Sequence, residues 1–367
     1  MATAFYAPLK PPAHPVPSGD RRVARLLFQA LTLAGAAPFL ACGLRTYDRG
    51  DPARQTRLDA VSAKLASRLQ RRLEGNPPSA WFTYHCYHKA PDGLGRRVSA
   101  ALDLPYLIAE ASIAPKRAEG PWAVGYGQAL RAIQAADVVL AMSGVDAQGL
   151  EAVVRPPARL LRLAPFVDRL DAPPACPAAL PRRLLAVAML RPGAKQRSYA
   201  LLIQALAGLS DHPWTLDVVG DGEARWVIEA EAHAALGARV RFHGRVDDPA
   251  SLDAHFAAAD AFVWPAVDEA YGMAILEAQA RGLAVVAGDG HGVPDVVQAG
   301  QTGLLAPVGD VAAFRAALAR LLDNPGLAQR LGAAASAHVR AHHGLDTAAR
   351  TLRDALALAH DVRCQRR

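Results

Sequence analysis

The order of apolar runs along the chain predicts two successive α/β units. Short, nearly continuous apolar runs alternate with longer segments in which apolar residues recur at three- and four-residue spacing. Short runs of this kind are typical of strands buried on both faces of a parallel sheet, and the longer spacing is typical of the helices that cover it. In the first half the predicted strands are Thr3–Ala7, Phe39–Cys42, Trp81–Tyr84, Pro105–Ala109, Asp137–Ala141 and Leu160–Leu163, and the predicted helices are Arg21–Leu33, Arg54–Leu73 and one around Gly125–Ala135.

The second half repeats this alternation and ends in a long helical run. The segment between the halves, Asp171–Pro181, contains four prolines and predicts an extended tether. The predicted strands after it are Leu184–Met189, Trp214–Val219, Val240–Val246, Ala259–Trp264 and Leu283–Ala287. The predicted helices are one with Leu201, Leu202, Ala205 and Leu206 on one face, Met273–Arg281, one capped by Asp310, and Leu345–Val362. The predicted class is therefore α/β, with a doubly wound sheet in each of two domains.

Composition restricts the class of protein. A length of 367 residues is long for one core and suits two domains. The longest apolar segment, Leu26–Leu40, is too short for a transmembrane helix, and the first residues do not have the pattern of a signal peptide. The four cysteines have no C-x-x-C spacing, so neither a zinc site nor a disulfide framework is expected. We expect a cytoplasmic protein.

Charge divides unevenly between the halves. Residues 1–170 carry 22 Lys and Arg against 13 Asp and Glu, whereas residues 171–367 carry 19 against 21. A basic half can meet anionic lipid, a phosphorylated acceptor or nucleic acid, or can simply be a solvated surface. Nucleic acid is disfavoured because no aromatic stacking motif accompanies the charges. The sharper hypothesis is that the basic half makes a peripheral contact with an anionic membrane through its Arg54–Leu73 helix.

Two carboxylates form the centre of the candidate chemistry. Glu269 and Glu277 are eight residues apart, in the stretch EAYGMAILEAQARGLAVVAGDGHG. Glu269 is expected in a loop at a helix N-terminus, where free amides and the helix dipole favour an anion. Glu277 is expected about two turns further along that helix. The two carboxylates can then hold opposite ends of a ligand whose anionic middle lies near the amides.

This stretch resembles the donor-binding signature of the retaining glycosyltransferases of family 4. Their signature is a Glu-x7-Glu pair in an E-G-F-G-x-x-x-L-E-A-like segment, which here has Ala270 and Tyr271 for Gly-Phe. The resemblance implies the GT-B fold, in which two Rossmann-like domains face a central cleft that binds a nucleotide sugar. It implies an N-terminal domain over residues 1–166, a linker over 167–183, a nucleotide-sugar-binding domain over 184–344, and a C-terminal helix over 345–367 that crosses back to the first domain.

The resemblance also supplies roles for other residues of the second half. Arg191 and Lys195, in the loop after Leu184–Met189, are expected to pair with the donor diphosphate, although Arg191 is displaced from the family's usual position. Glu269 is expected to contact the sugar and Glu277 the ribose. The remaining donor-binding candidates are Tyr271, Gly272, Met273, Gly220, Gly222, Arg245 and Val246.

The first half matches the family in layout more than in motif. His85 and His88 follow a predicted strand, at the edge where open α/β sheets bind ligands, and one of them is expected to contact an acceptor or a phosphate. Glu110 and Ser112 stand at the strand end where family members often carry a histidine. Gly19 is the one glycine in the first loop, and Ser18 or Asp20 on either side of it is expected to cap the helix that follows. Gly19, His85, His88, Glu110 and Ser112 are therefore the acceptor-side candidates.

The expected activity is transfer of a sugar from a UDP-, GDP- or ADP-linked donor to an acceptor such as a cell-envelope glycan or a lipid-linked saccharide. No cofactor is expected, and no metal, because no D-x-D-like pattern is present. Two other functions are compatible with these residues. One is a GT-B epimerase or phosphorylase, and the other is a non-catalytic GT-B-like binding subunit, suggested by the missing acceptor-side histidine.

Overall fold

The chain forms two compact units. The computed structural model describes residues 2–16, 18–171, 174–175, 178 and 182–366. The first unit comprises residues 1–164 and 345–367, and the second comprises residues 165–344. The tether predicted for Asp171–Pro181 lies largely outside the described residues. Where that segment is described, its backbone is bound to the second unit, because the amide of Ala175 donates to the carbonyl of Arg281 (2.7 Å) and that of Ala178 to a carboxylate oxygen of Asp260 (3.0 Å).

The first unit has a six-stranded parallel sheet in the order β2-β1-β3-β4-β5-β6. Its strands are β1 (Ala2–Tyr6), β2 (Ala37–Cys42), β3 (Ala80–Cys86), β4 (Tyr106–Ala111), β5 (Val138–Ala141) and β6 (Arg159–Arg162). Its helices are α1 (Gly19–Leu33), α2 (Pro52–Leu73), α3 (Gly95–Leu102), α4 (Ala123–Ala135), α5 (Gly144–Glu151) and the C-terminal helix, which is α12 (Leu345–Gln365) in chain order. Strands β4 and β5 are buried throughout, as their apolar sequences predict.

The second unit has a second six-stranded parallel sheet, in the order β12-β11-β10-β7-β8-β9. Its strands are β7 (Arg183–Val187), β8 (Thr215–Val219), β9 (Val240–Gly244), β10 (Ala261–Trp264), β11 (Ala284–Asp289) and β12 (Gly303–Pro307). Its helices are α6 (Ala194–Ala207), α7 (Arg225–Leu236), α8 (Pro249–Ala258), α9 (Met273–Ala280), α10 (Val311–Asp323) and α11 (Leu327–His342). Numbered within the unit, this is the Rossmann order 3-2-1-4-5-6.

Each sheet has one point at which the strand order reverses. In the first unit β1 lies between β2 and β3, and in the second unit β7 lies between β8 and β10. Loops that leave such a point diverge to opposite faces of the sheet, so a crevice opens at the carboxyl ends of the two central strands. The pairs β1–β3 and β7–β10 are therefore where the fold positions ligand chemistry.

The C-terminal helix belongs to the first unit. Helix α12 packs along α1. Two guanidinium groups near its end bind the buried start of β5: Arg366 Nη1 lies 3.2 Å from Asp137 Oδ1, and Arg363 Nη1 lies 3.9 Å from Asp137 Oδ2. The carboxylate of Asp137 also accepts the amide of Tyr106 at 2.8 Å, which connects the same contact to β4.

Every strand predicted from the apolar runs is present, with bounds that shift by up to two residues, but strand β12 and five of the described helices were not predicted. Helices α3, α5, α7, α8 and α11 are short or rich in alanine, so their apolar positions stand out weakly against the surrounding sequence. Ser18, one of two predicted caps for the first helix, accepts the amide of Arg21 at 3.2 Å. Helix α9 begins at the predicted Met273 and ends one residue before Arg281.

A buried carboxylate organises the core of the first unit. Asp92 is 2% exposed. Its Oδ2 accepts hydrogen bonds from the Thr83 hydroxyl (2.5 Å) and the Tyr106 hydroxyl (2.6 Å), and its Oδ1 accepts the amides of Leu94 (2.8 Å) and Gly95 (2.7 Å). The network joins β3 and β4 to the start of α3. Both carboxylate oxygens of Asp92 have hydrogen-bond partners. A buried polar network that is satisfied in this way makes the core rigid and specifies one packing.

We predict that Asp92→Ala lowers the free energy of unfolding of the first unit by about 3 kcal/mol or more, because two hydroxyls and two amides lose their buried acceptor. Urea unfolding followed by circular dichroism measures the loss. Asp361→Ala, at an exposed position of α12, is the control and is expected to change stability by less than about 0.5 kcal/mol. A loss below about 1 kcal/mol for Asp92→Ala would contradict the prediction.

Candidate donor and acceptor sites

The reversal point of the second sheet brings two predicted site residues into contact. Lys195 lies in the first turn of α6, which follows β7, and Glu269 lies in the loop that follows β10. The ammonium of Lys195 pairs with the Oε2 atom of Glu269. Both side chains are partly open to solvent, 25% and 18% exposed respectively. A cation and a carboxylate therefore stand together at the crevice of this sheet, within reach of a ligand.

A tryptophan that the sequence did not single out fixes this pair. The indole Nε1 of Trp264, the last residue of β10, donates to Glu269 Oε2 at 3.1 Å. The ammonium of Lys195 lies 5.3 Å from the centre of the same ring, in a cation–π contact. Tyr199 packs edge-on against Trp264 with centroids 5.0 Å apart. Because Trp264 is 2% exposed, its position is set by the core, and it holds both charged groups in place.

Gly220 and Gly222, which follow β8, allow their backbone to contact the backbone of the loop after β7 directly. A Cβ atom at Gly220 would lie 1.8 Å from the carbonyl oxygen of Ala188, and one at Gly222 would lie 2.3 Å from that of Leu190. The amide of Gly220 also donates to the carbonyl of Gly244 at 2.8 Å. The loops after β7, β8 and β9 are thus packed into one layer, which no residue with a side chain at position 220 or 222 would permit.

Three of the helices that follow strands of the second sheet lack a capping side chain. Helices α6, α7 and α9 begin after Gly193, Ala224 and Gly272, none of which offers an oxygen to the first turn. By contrast, Asp248 and Asp310 cap α8 and α10. The first amides of an uncapped helix are available to a ligand, and the helix dipole favours an anion there. The arrangement suits a diphosphate.

The other donor-side candidates occupy the same edge of the sheet. Arg191 is half-buried in the loop after β7, and its guanidinium makes no hydrogen bond or ion pair with the residues that the structure describes. Arg245 is exposed and its Nε donates to Asp247 at 2.7 Å; Val246 beside it is half-exposed. Glu277 is half-buried on α9. Tyr271 is 6% exposed, and Gly272 adopts the left-handed conformation with φ of 72° before Met273 begins the helix.

The reversal point of the first sheet gathers a different set of groups. His85, near the end of β3, places its Nδ1 3.6 Å from Asp20 Oδ1 in the first turn of α1 and 3.9 Å from Glu110 Oε1 at the end of β4. The predicted candidates His85 and Glu110 therefore come together, and Asp20, predicted only as an alternative cap, joins them. An imidazole from β3 therefore stands beside the end of β4.

Both strand ends at this cluster have strained backbone. His85 has φ of 67° and Glu110 has φ of 57°, and neither is a glycine. A non-glycine residue in this region costs on the order of 1 kcal/mol or more and persists where the surroundings impose it, often at functional sites. Burial raises the pKa of Glu110, while the charge of His85 and a hydrogen bond with Tyr84 act in the opposite direction. The carboxyl group is thus held partly towards its neutral form.

The remaining first-unit candidates are His88, Ser112 and Gly19. His88 packs edge-on against Trp122 with centroids 5.2 Å apart, and burial together with the charge of Lys89 lowers its pKa to about 4. His88 is therefore neutral near pH 7 and does not offer a cation to a phosphate. Ser112 is half-buried, and its amide donates to the carbonyl of Cys86 at 3.1 Å. Gly19 begins α1 with open space where a side chain would be.

The described part of the chain offers no cluster of three or more His, Cys, Asp or Glu residues with the geometry of a metal site. Nor does any helix within it have the length and apolar character needed to cross a bilayer.

Comparison with known proteins shows that the chain is similar to glycosyltransferases. Residues 181–324, less than half of the chain, match the family described as "Glycosyl transferases group 1". A D-inositol 3-phosphate glycosyltransferase of Streptomyces griseus is 36% identical over 171 residues, which cover 43% of this chain and 36% of that protein. The chain thus spans about a third of the length of this curated relative.

Two solved structures are similar over nearly the whole chain. Sucrose-phosphate synthase from Thermosynechococcus elongatus has a TM-score of 0.73 at 20% identity and covers 96% of this chain and 97% of that one. HepE from Anabaena in complex with UDP has a TM-score of 0.74 at 16% identity and covers 97% and 100%. The expected fold is confirmed: the chain has the two Rossmann-like domains of the GT-B glycosyltransferases.

We predict that Glu110→Gln stabilises the protein at neutral pH. A carboxyl group whose pKa is raised above the usual 4.5 binds more protons in the folded state, so wild-type stability falls as pH rises above that value. The neutral amide has no such dependence. Urea unfolding at several pH values should show the advantage of the variant shrinking as pH falls towards 4.5. Exposed Glu151→Gln is the control, and a less stable Glu110→Gln protein at pH 7 would refute the assignment.

Proposed function

We propose that the protein is a retaining glycosyltransferase that moves a sugar from a nucleoside-diphosphate sugar to a hydroxyl group of an acceptor. The observation that carries the proposal is the meeting of Lys195 with Glu269 at the reversal point of the second sheet, beside three uncapped helix N-termini. A cation and free amides bind a diphosphate, and a carboxylate binds sugar hydroxyls. UDP in the complex of the similar HepE structure supports a nucleotide donor.

Each group of the second unit has a role in this proposal. Arg191 and Lys195 bind the two phosphates, and Glu277 accepts hydrogen bonds from the ribose hydroxyls. Glu269 and the amides at Gly272 and Met273 hold the transferred sugar. The close backbone approach at Gly220 and Gly222, with Arg245 and Val246 at the next strand end, supports the nucleoside.

The chemical step breaks the bond between the anomeric carbon and the diphosphate and forms a bond from that carbon to the acceptor oxygen. Negative charge grows on the departing diphosphate, and stabilisation of such charge is usually the largest catalytic contribution. Arg191, whose guanidinium has no partner among the described residues, and Lys195 supply the countercharge. Because Arg191 and Lys195 lie in the same segment between β7 and the first turn of α6, at an uncapped helix N-terminus, we propose that the reaction needs no metal ion and no cofactor.

We place acceptor recognition on the first unit, at Asp20, His85 and Glu110. Two carboxyl groups and an imidazole can bind several hydroxyl groups of a sugar or polyol. A cell-envelope glycan or a lipid-linked saccharide made at the cytoplasmic face is the acceptor class that we propose. The relative from Streptomyces griseus is named for an inositol phosphate, whereas the carboxylates here favour an acceptor that is not phosphorylated at this position.

We predict that Lys195→Ala and Arg191→Ala each lower kcat/KM for sugar transfer by about a hundredfold or more, because each removes countercharge from the leaving diphosphate. Assay of nucleoside-diphosphate release with a panel of UDP-, GDP- and ADP-sugars measures the effect. Arg320→Ala, at an exposed position of α10, should retain wild-type activity. Wild-type turnover that is unaffected by Lys195→Ala would favour an epimerase or phosphorylase with different chemistry.

We predict that one nucleoside diphosphate raises the thermal midpoint of the wild-type protein, and that Glu277→Ala weakens its binding by about tenfold. A ligand that binds only the folded state stabilises it by about 2.7 kcal/mol at a hundred times its Kd. Differential scanning fluorimetry with UDP, GDP and ADP reads the shift. Glu231→Ala, on the exposed side of α7, is the control.

The two assays together separate the alternatives. Nucleotide binding without turnover on any donor would indicate a non-catalytic GT-B-like subunit. Absence of both binding and turnover would overturn the proposed function.

A further inference from the structure

Helix α2 accounts for five of the nine excess positive charges of residues 1–170. Helix α2 carries Arg54, Arg57, Lys64, Arg68, Arg71 and Arg72 against a single acid, Asp59. Asp59 is already paired, because Arg97 Nη2 lies 2.9 Å from its Oδ1. Arg54 faces Asp48 at 3.5 Å, and Arg72 donates to the carbonyl of Ala41 at 3.1 Å. Four cations remain: Arg57, Lys64, Arg68 and Arg71.

These four cations form one stripe with an exposed valine among them. Their positions with Val61 follow spacings of four, three, four and three residues, which places all five within about 80° of arc on a helix of 3.6 residues per turn. We call Arg57, Val61, Lys64, Arg68 and Arg71 the basic stripe. It runs for about 21 Å. The buried residues of the helix lie on the opposite side, and they are Gln55, Ser62, Ala66, Leu69 and Leu73.

The cations of the stripe are exposed and have no partner in the protein. None of the four side chains makes a hydrogen bond or an ion pair with any residue that the structure describes. Val61 between them is 46% exposed. Like charges at Lys64 and Arg68, four residues apart, destabilise an isolated helix. Helix α7 shows the opposite pattern, since Arg225 Nε lies 2.7 Å from Glu229 Oε1.

We propose that the basic stripe docks the first unit on the surface of a bilayer that contains anionic phospholipid. The buried side of α2 fixes the rotation of the helix, so all four cations project together from its exposed side, and a flat anionic surface can meet them at once. The exposed valine suits the interface between water and lipid. Binding is then electrostatic, with each basic residue near the surface adding to it and salt weakening it.

A lipid surface fits the stripe better than a nucleic acid does. The stripe has no aromatic side chain that would stack on bases, and no Asn or Gln stands among its five residues to contact base edges. Just after the end of the helix, Glu74 Oε1 accepts a hydrogen bond from the side-chain amide of Gln70 at 2.9 Å. The proposal goes beyond the transferase function and stands whether or not that function does.

The test is sedimentation of the full chain with phosphatidylcholine vesicles that contain or lack phosphatidylglycerol. We expect the wild-type protein to bind only the anionic vesicles and to be released by added salt. The variant R57Q/K64Q/R68Q/R71Q should lose binding by more than about tenfold. The control variant R131Q/R155Q/R320Q/R330Q removes the same charge from exposed positions on separate elements and should bind like the wild type.

Three outcomes would overturn the proposal. The first is no wild-type binding to anionic vesicles. The second is an equal loss of binding in both variants, which would indicate net charge and not the stripe. The third is binding to a DNA or RNA duplex that competes the vesicles away and depends on the same four cations. Thermal unfolding of both variants checks that the substitutions, all at exposed positions, leave the fold intact.

Discussion

The proposed donor site depends on a single packing constraint, which is that several loops of the second unit approach one another so closely that backbone meets backbone. Gly288 at the end of β11 faces the carbonyl of Pro265, and a Cβ atom there would lie 2.0 Å from that oxygen. Further along the loop that follows β11, the amide of Gly292 donates to the carbonyl of Ala270 at 2.8 Å. The segment that carries Glu269 is therefore held on one side by β11 and on the other by Lys195. Without this close approach, the carboxylate of Glu269 and the ammonium of Lys195 would not meet.

The sequence was most informative where one local signal decides the structure. Buried parallel strands are continuous apolar runs, and eleven of the twelve strands that the structure describes were predicted from such runs. The Glu-x7-Glu stretch likewise lies at a helix start, because Gly272 and the run from Met273 are adjacent in the chain. Helices such as α8 and α11 lack a strong apolar period, since alanine covers a sheet without standing out from its surroundings.

Contacts between side chains on different segments could not be predicted from the sequence. Trp264 ends an ordinary apolar strand, and only the three-dimensional arrangement shows its indole bound to Glu269 at 3.1 Å. Asp20 and His85 are 65 residues apart and meet because β1 and β3 are neighbours at the reversal point. The strained conformation of His85 and Glu110 is equally invisible in one-letter code, because nothing in those residue types requires a positive φ.

The two reversal points carry opposite chemistry, and this separates the roles of the units. In the second unit a cation and free amides surround one carboxylate, whereas in the first unit two carboxyl groups surround one imidazole. The excess positive charge of the first half therefore does not serve its own crevice. Five of its nine charges lie on α2, and four exposed cations of that helix stand opposite its buried face. A basic unit with an acidic crevice can approach an anionic surface with one face and still select an acceptor by its hydroxyl groups with another.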